Sequence, residues 1–113
     1  MAIRLKTPEQ IEKMRQAGRI VRRVLKALGG MVAPGVTTEE LDDQAARITR
    51  EAGAQSLFKG VPGKDGAGPF PGHICASIND EVVHGIPSRR TVRPGDIISI
   101  DFGVRLDGWC ADA

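Results

Sequence analysis

A chain of 113 residues, 41% hydrophobic and 27% charged, has the make-up of one globular domain near the small end of the size range. No run approaches eighteen consecutive apolar residues and the N-terminus has no signal-like apolar block, so no membrane contact is expected and the cytosol is the expected compartment. Cys75 and Cys110, without a CxxC or a Cys/His quartet, suit a reducing compartment and speak against a structural zinc site.

Net charge is only +2, but it is unevenly spread. Residues 1 to 30 carry eight basic residues, among them Arg15, Arg19, Arg22 and Arg23, against Glu9 and Glu12. Such a face suits a solvated amphipathic helix or a polyanion such as ribosomal RNA, with no sequence-specific DNA contact expected. Thr7-Pro8-Glu9-Gln10 opens that helix, with Thr7 as N-cap, Pro8 in the first turn and Gln10 completing a capping box. Ile11, Met14, Gly18, Val21, Leu25, Leu28 and Val32 form the expected inward stripe, and Gly29-Gly30 marks the end. After the Pro34-Gly35 break, Thr37-Thr38-Glu39-Glu40 caps a second helix running to about Ala52, with Leu41, Ala45 and Ile48 inward.

Gln55 to Gly60 reads as a short strand, and Val61 to Gly72 as a Gly/Pro loop without a nucleotide-binding pattern. His73 to Ile78 and Glu81 to Pro87 read as two further strands around an Asn79-Asp80 turn. His84 precedes Gly85, where a backbone or ligand can approach closely, and suits a structural histidine, a hydrogen-bond donor to substrate or a metal ligand.

The run from Ile98 to Val104 alternates apolar residues with Ser99, Asp101 and Gly103, the period of a strand with one apolar face. Asp107-Gly108 is a two-residue turn signal that sets Gly103 opposite Asp112 and Arg105 opposite Cys110. Asp101 and Asp112 then become diagonal neighbours, with Cβ atoms about 7 Å apart or less, over an open space left by Gly103. Two carboxylates on one face suit either a solvated surface or one or two metal ions. Two helices followed by strands predict an α+β fold, with the helices packed on a mostly antiparallel sheet.

The segments Ile78 to Pro87, Pro94 to Asp101 and Asp107 to Asp112, together with the opening Lys6 to Arg15, closely resemble type I methionine aminopeptidases. The resemblance covers essentially the whole chain. It implies the N-terminal half of a pita-bread (creatinase/aminopeptidase-like) fold, residues 1–113 forming a single incomplete domain. It implies too a pair of divalent ions (Co, Mn, Fe or Zn) and removal of the N-terminal methionine from peptides and nascent proteins. By the same resemblance Asp101 chelates one metal, Asp112 bridges both, and His84 hydrogen-bonds the substrate near the scissile amide. Phe58, Phe70 and Cys75 fall where the family builds its methionine pocket, although residues 62–67 look like an insertion beside it. Family members draw a further histidine and two glutamates from a second half-domain, so these residues alone are expected to form a fragment with little activity. A proline dipeptidase of the same fold and a non-catalytic, ribosome-facing module are the competing readings.

Overall fold

The computed structural model describes residues 2–64 and 66–113; the loop reading and the insertion at Asp65 lie outside the described residues. Helix α1 spans Pro8–Met31 and α2 spans Thr38–Glu51, each opened by a reciprocal capping box, Thr7 with Gln10 and Thr37 with Glu40. Each box satisfies amide donors that a helix start leaves unpaired, a contribution of about 1 kcal/mol. The strands are β1 Gln55–Ser56, β2 Cys75–Ile78, β3 Ile98–Asp101, β4 Gly103–Leu106 and β5 Trp109–Asp112. They form two antiparallel groups, one ordered β1-β4-β5 and the other β2-β3.

The alternating run from Ile98 to Val104 is therefore not one strand in one sheet. It crosses from β2's partner to β1's partner at Phe102, which is fully buried and exchanges both backbone hydrogen bonds with Ala113. The apolar alternation anticipated this buried position, and seating such a ring contributes about 1.5 to 3 kcal/mol. Val104, Ile74 and Ala76 join Phe102 against Ala17, Ile20, Val24 and Leu28 of α1 and Leu41, Ala45 and Ile48 of α2.

Three sequence expectations need correction here. Ile11 and Met14 are exposed, and the buried face of α1 runs through Ala17, Ile20, Val21, Val24 and Leu28. A helix of 24 residues is about 36 Å long while four-residue strands span about 13 Å, so the first turns overrun the sheet. The strand expected over Gln55 to Gly60 is reduced to Gln55–Ser56, because the chain turns at Phe58, whose carbonyl accepts the Val61 amide. Glu81 to Pro87 is not a strand at all: Val82 and Val83 face solvent and His84 has φ 58, a left-handed conformation no β ladder accommodates.

Candidate metal centre

The β4–β5 hairpin pairs Gly103 with Asp112, Val104 with Ala111, Arg105 with Cys110 and Leu106 with Trp109, the register the two-residue turn predicts. Asp107 and Gly108 both take positive φ, 50° and 83°, as that turn requires. One residue upstream of the crossover, β3 sets Asp101 directly opposite Cys75 of β2. The hairpin and the β2-β3 pair thus deliver Asp112, Asp101 and Cys75 to one place.

The electrostatics of these groups register their closeness. Asp101 titrates above the ordinary carboxylate range, first because its surroundings strip solvent from it, then because of the Asp112 charge and a hydrogen bond with Asp112. His84 pulls in the opposite direction, which puts its imidazole within electrostatic reach of Asp101. Burial pushes the Cys75 thiol up, and Asp101 and Asp112 add to the effect, so Cys75 stays protonated at neutral pH. Four of the six residues singled out from the sequence are brought together in this way.

The space over Gly103 is not open, contrary to the sequence expectation. A Cβ built there would meet Leu57 Cδ1 at 2.9 Å and the carbonyl of Ala111 at 3.2 Å, so Leu57 closes the floor between the acids. Phe58 and Phe70 are half-buried on the two legs of the 58–70 loop, outside the main apolar core. The legs are tied where the Gly60 amide donates to the Phe70 carbonyl at 2.9 Å and the Phe70 amide to the Val61 carbonyl at 2.8 Å. Residues 62–64 and 66–69 therefore lie beyond a fixed neck.

Sequence reasoning missed the residues that hold this arrangement. Asp42, 9% exposed on the inner face of α2, accepts the amides of His73 at 2.6 Å and Ile74 at 2.9 Å and so fixes the entry to β2. An acid on the stripe of Leu41 and Ala45 was the available signal, since buried acids are rare without partners. Ser77, buried in β2, accepts the Gly85 amide at 2.9 Å, while the Ala76 amide donates to the Gly85 carbonyl at 2.9 Å. Thr38 exchanges hydrogen bonds with Ser88 on the far side of the His84 segment.

The model of metallopeptidase family M24 matches residues 12–113. Methionine aminopeptidase 1 of Bacillus subtilis (strain 168) is 45% identical over 108 residues, which cover 96% of this chain and 41% of that protein. The crystal structure of methionine aminopeptidase from Thermotoga maritima superposes with a TM-score of 0.87 at 34% identity, covering 98% of this chain and 43% of that one. An Xaa-Pro dipeptidase from Bacillus anthracis shares the fold, with a TM-score of 0.74 at 23% identity over 96% of this chain and 27% of that one. The chain spans about two fifths of the length of the curated relatives it matches. The architecture is the α+β pita-bread fold of these structures, and the chain belongs to metallopeptidase family M24.

Proposed function

We propose that these residues form a single incomplete domain, the portion of a methionine aminopeptidase that carries two metal-holding carboxylates and a substrate-facing histidine. The whole protein removes the N-terminal methionine of peptides and nascent proteins in the cytosol. The observation that carries this reading is the convergence of Asp101, Asp112, Cys75 and His84 on a chain similar along nearly its whole length to methionine aminopeptidases. No helix among the described residues is long and apolar enough to cross a membrane.

The donor set fits a cation. The Asp112 charge beside Asp101 helps raise the Asp101 carboxyl, a local surplus of negative charge that a divalent ion neutralises. Among the described residues no group of three His, Cys, Asp or Glu is placed to hold a metal, so Asp101 and Asp112 alone bind such an ion weakly. Asp101 and Asp112 would hold part of a pair of manganese, iron, cobalt or zinc ions, chosen by supply, which would provide Lewis acidity at the scissile carbonyl. His84 donates a hydrogen bond to the substrate amide and fixes its orientation. Cys75, protonated and buried opposite Asp101, and the half-buried Phe58 and Phe70 at the neck of the 58–70 loop are the residues we assign to a soft apolar site for a thioether side chain.

Titration of Mn²⁺ into the chain should show weak binding that Asp101→Asn and Asp112→Asn each abolish, with little methionine released from a Met-Ala-Ser peptide. Binding indifferent to both substitutions would overturn the metal reading. Robust release of methionine would overturn the fragment reading, and faster cleavage of Xaa-Pro peptides would point to a proline-specific relative.

We also infer that α1 offers a contact for ribosomal RNA. Arg15, Arg19 and Arg23 make ion pairs with Glu12 and Glu51, but all are exposed, and such pairs contribute only about 0 to 1 kcal/mol. A phosphate partner can therefore displace them. Co-sedimentation with ribosomes should weaken steeply as salt rises; binding that ignores salt would reject the contact.

A further inference from the structure

We propose that Ser77 is the positioning residue for His84, holding the histidine against β2, on the side of Asp101, through the backbone of Gly85. Only the chemical consequence rests on the function proposed above; the geometric relation stands independently of it.

His84 lies in a stretch without regular structure and has φ 58, a conformation that side-chain-bearing residues leave unless neighbours over-determine it. The neighbour that determines it is the next residue. Gly85 is buried and held at both ends, its amide donating to Ser77 Oγ at 2.9 Å and its carbonyl accepting from the Ala76 amide at 2.9 Å. A Cβ on Gly85 would lie 2.1 Å from the Ala76 carbonyl oxygen and 2.8 Å from Ser77 Cα, so the loop backbone rests directly on β2.

Ser77 is only 4% exposed and sits two residues along β2 from Cys75, whose partner across the ladder is Asp101. Side chains two apart share a face, so the hydroxyl that catches Gly85 lies on the face that carries the acids. Replacing it with an apolar side chain leaves a buried amide without an acceptor, and the loop can regain a partner for that amide only by lifting off β2. Lifting the loop carries His84 away from Asp101 and releases its left-handed backbone. The serine therefore acts on His84 through one peptide group and touches neither substrate nor metal.

The test uses the chain without metal or substrate. In Ser77→Ala, NMR-detected amide exchange at Gly85 should quicken about tenfold or more. The one-bond Cα–Hα coupling of His84 should lose its positive-φ value. The Phe102 amide, bonded to the Ala113 carbonyl, should keep its protection and report an intact fold. Ser77→Thr, which retains the hydroxyl, should restore both Gly85 protection and the His84 coupling. If Ser77→Ala does not fold, the near-isosteric Ser77→Cys, a weaker acceptor, carries the same comparison. Unchanged Gly85 exchange and His84 coupling in the alanine or cysteine variant would overturn the proposal, as would a threonine variant that behaves like alanine. Added Mn²⁺ should broaden the His84 ring less in Ser77→Ala than in the parent chain, relative to the Cys75 methylene. Absence of broadening at both residues in the parent chain counts against the metal reading alone and leaves the amide result decisive for Ser77.

Discussion

The β4–β5 hairpin and the segment from Asn79 to Arg90 each bring one polar residue, Asp112 and His84 respectively, within reach of Asp101 by opposite means. The hairpin is self-contained: four cross-strand pairs and a two-residue turn fix Asp112 with bonds made among neighbours in sequence. The 79–90 segment has no ladder of its own and borrows its geometry. Asn79 is clasped to Asp96 and Ile97, Gly85 to Ser77, and Ser88 to Thr38, fifty residues away in the chain. A ladder spreads its stabilisation over many equivalent bonds, whereas a tethered loop concentrates it in a few. Substitutions should therefore be forgiven along the hairpin and punished at the anchors of the loop.

The strongest way to break the contrast is Gly85→Ala. The new methyl would meet main-chain atoms of β2, which cannot rotate aside, and a cost on the order of 4 kcal/mol is expected in urea unfolding. A loss below about 1 kcal/mol would show that the loop lifts freely and is not seated on β2. Asp42→Ala comes next. It strands the buried Ile74 amide and the part-buried His73 amide, an expected loss of about 3 kcal/mol, while Asp42→Asn keeps one acceptor oxygen and should cost about 1 kcal/mol. Equal losses in the two variants would mean that the charge, not the acceptor, holds the entry to β2.

What the sequence disclosed follows the same division. Both helix starts, the Asp107-Gly108 turn and the register bringing Asp112 beside Gly103 are written in residues within four positions of one another, and all are present. The approach of Asp101 to Asp112 was legible because strand periodicity carries side chains to predictable faces, whereas Cys75 entered only through the family resemblance and its place opposite Asp101 depends on β2 pairing with β3. The path of residues 81 to 87 was not legible, because two valines and an isoleucine imitate a strand while the Gly85 contact with Ala76 and Ser77, nine and eight residues back, decides otherwise. Leu57 closing the space over Gly103 escaped for the same reason: its position depends on β1 pairing with β4 across nearly fifty residues. Asp42 carried a signal in its place on the buried stripe, but its partners, the two amides at the start of β2, were visible only in the fold.

Gly108→Ala sharpens the comparison from the hairpin side. Nothing lies within 4 Å of the new methyl, so the cost comes only from φ 83 and should be about 1 to 2 kcal/mol, with the β4–β5 register retained. A shifted register, read from cross-strand nuclear Overhauser contacts between Arg105 and Cys110, would show that the turn and not the ladder sets the pairing.

The smallest expected effect is a change of pH at the other end of the loop, and it separates a tether from a ladder without altering a side chain. Asp96 accepts the Asn79 side-chain amide at 2.9 Å and the Arg93 backbone amide at 2.8 Å, while Asn79 Oδ1 accepts the Ile97 amide at 2.9 Å. The Asn79 bond first, then the Arg93 amide and the charges of Arg90 and Arg93, hold the Asp96 carboxyl below its ordinary value. A depressed folded-state pKa means that the stabilisation is fully present above the unfolded carboxylate value and is lost as pH falls through the folded one. Between neutrality and the ordinary aspartate range the clasp should stay shut; below it, protection at Ile97 should fall while the Arg105–Cys110 pair, which contains no carboxylate, keeps its own. In Asp96→Asn the acid-dependent step at Ile97 should vanish. If it survives, a group other than Asp96 governs that end of the segment, and the loop is held at Gly85 and Ser88 without a third anchor.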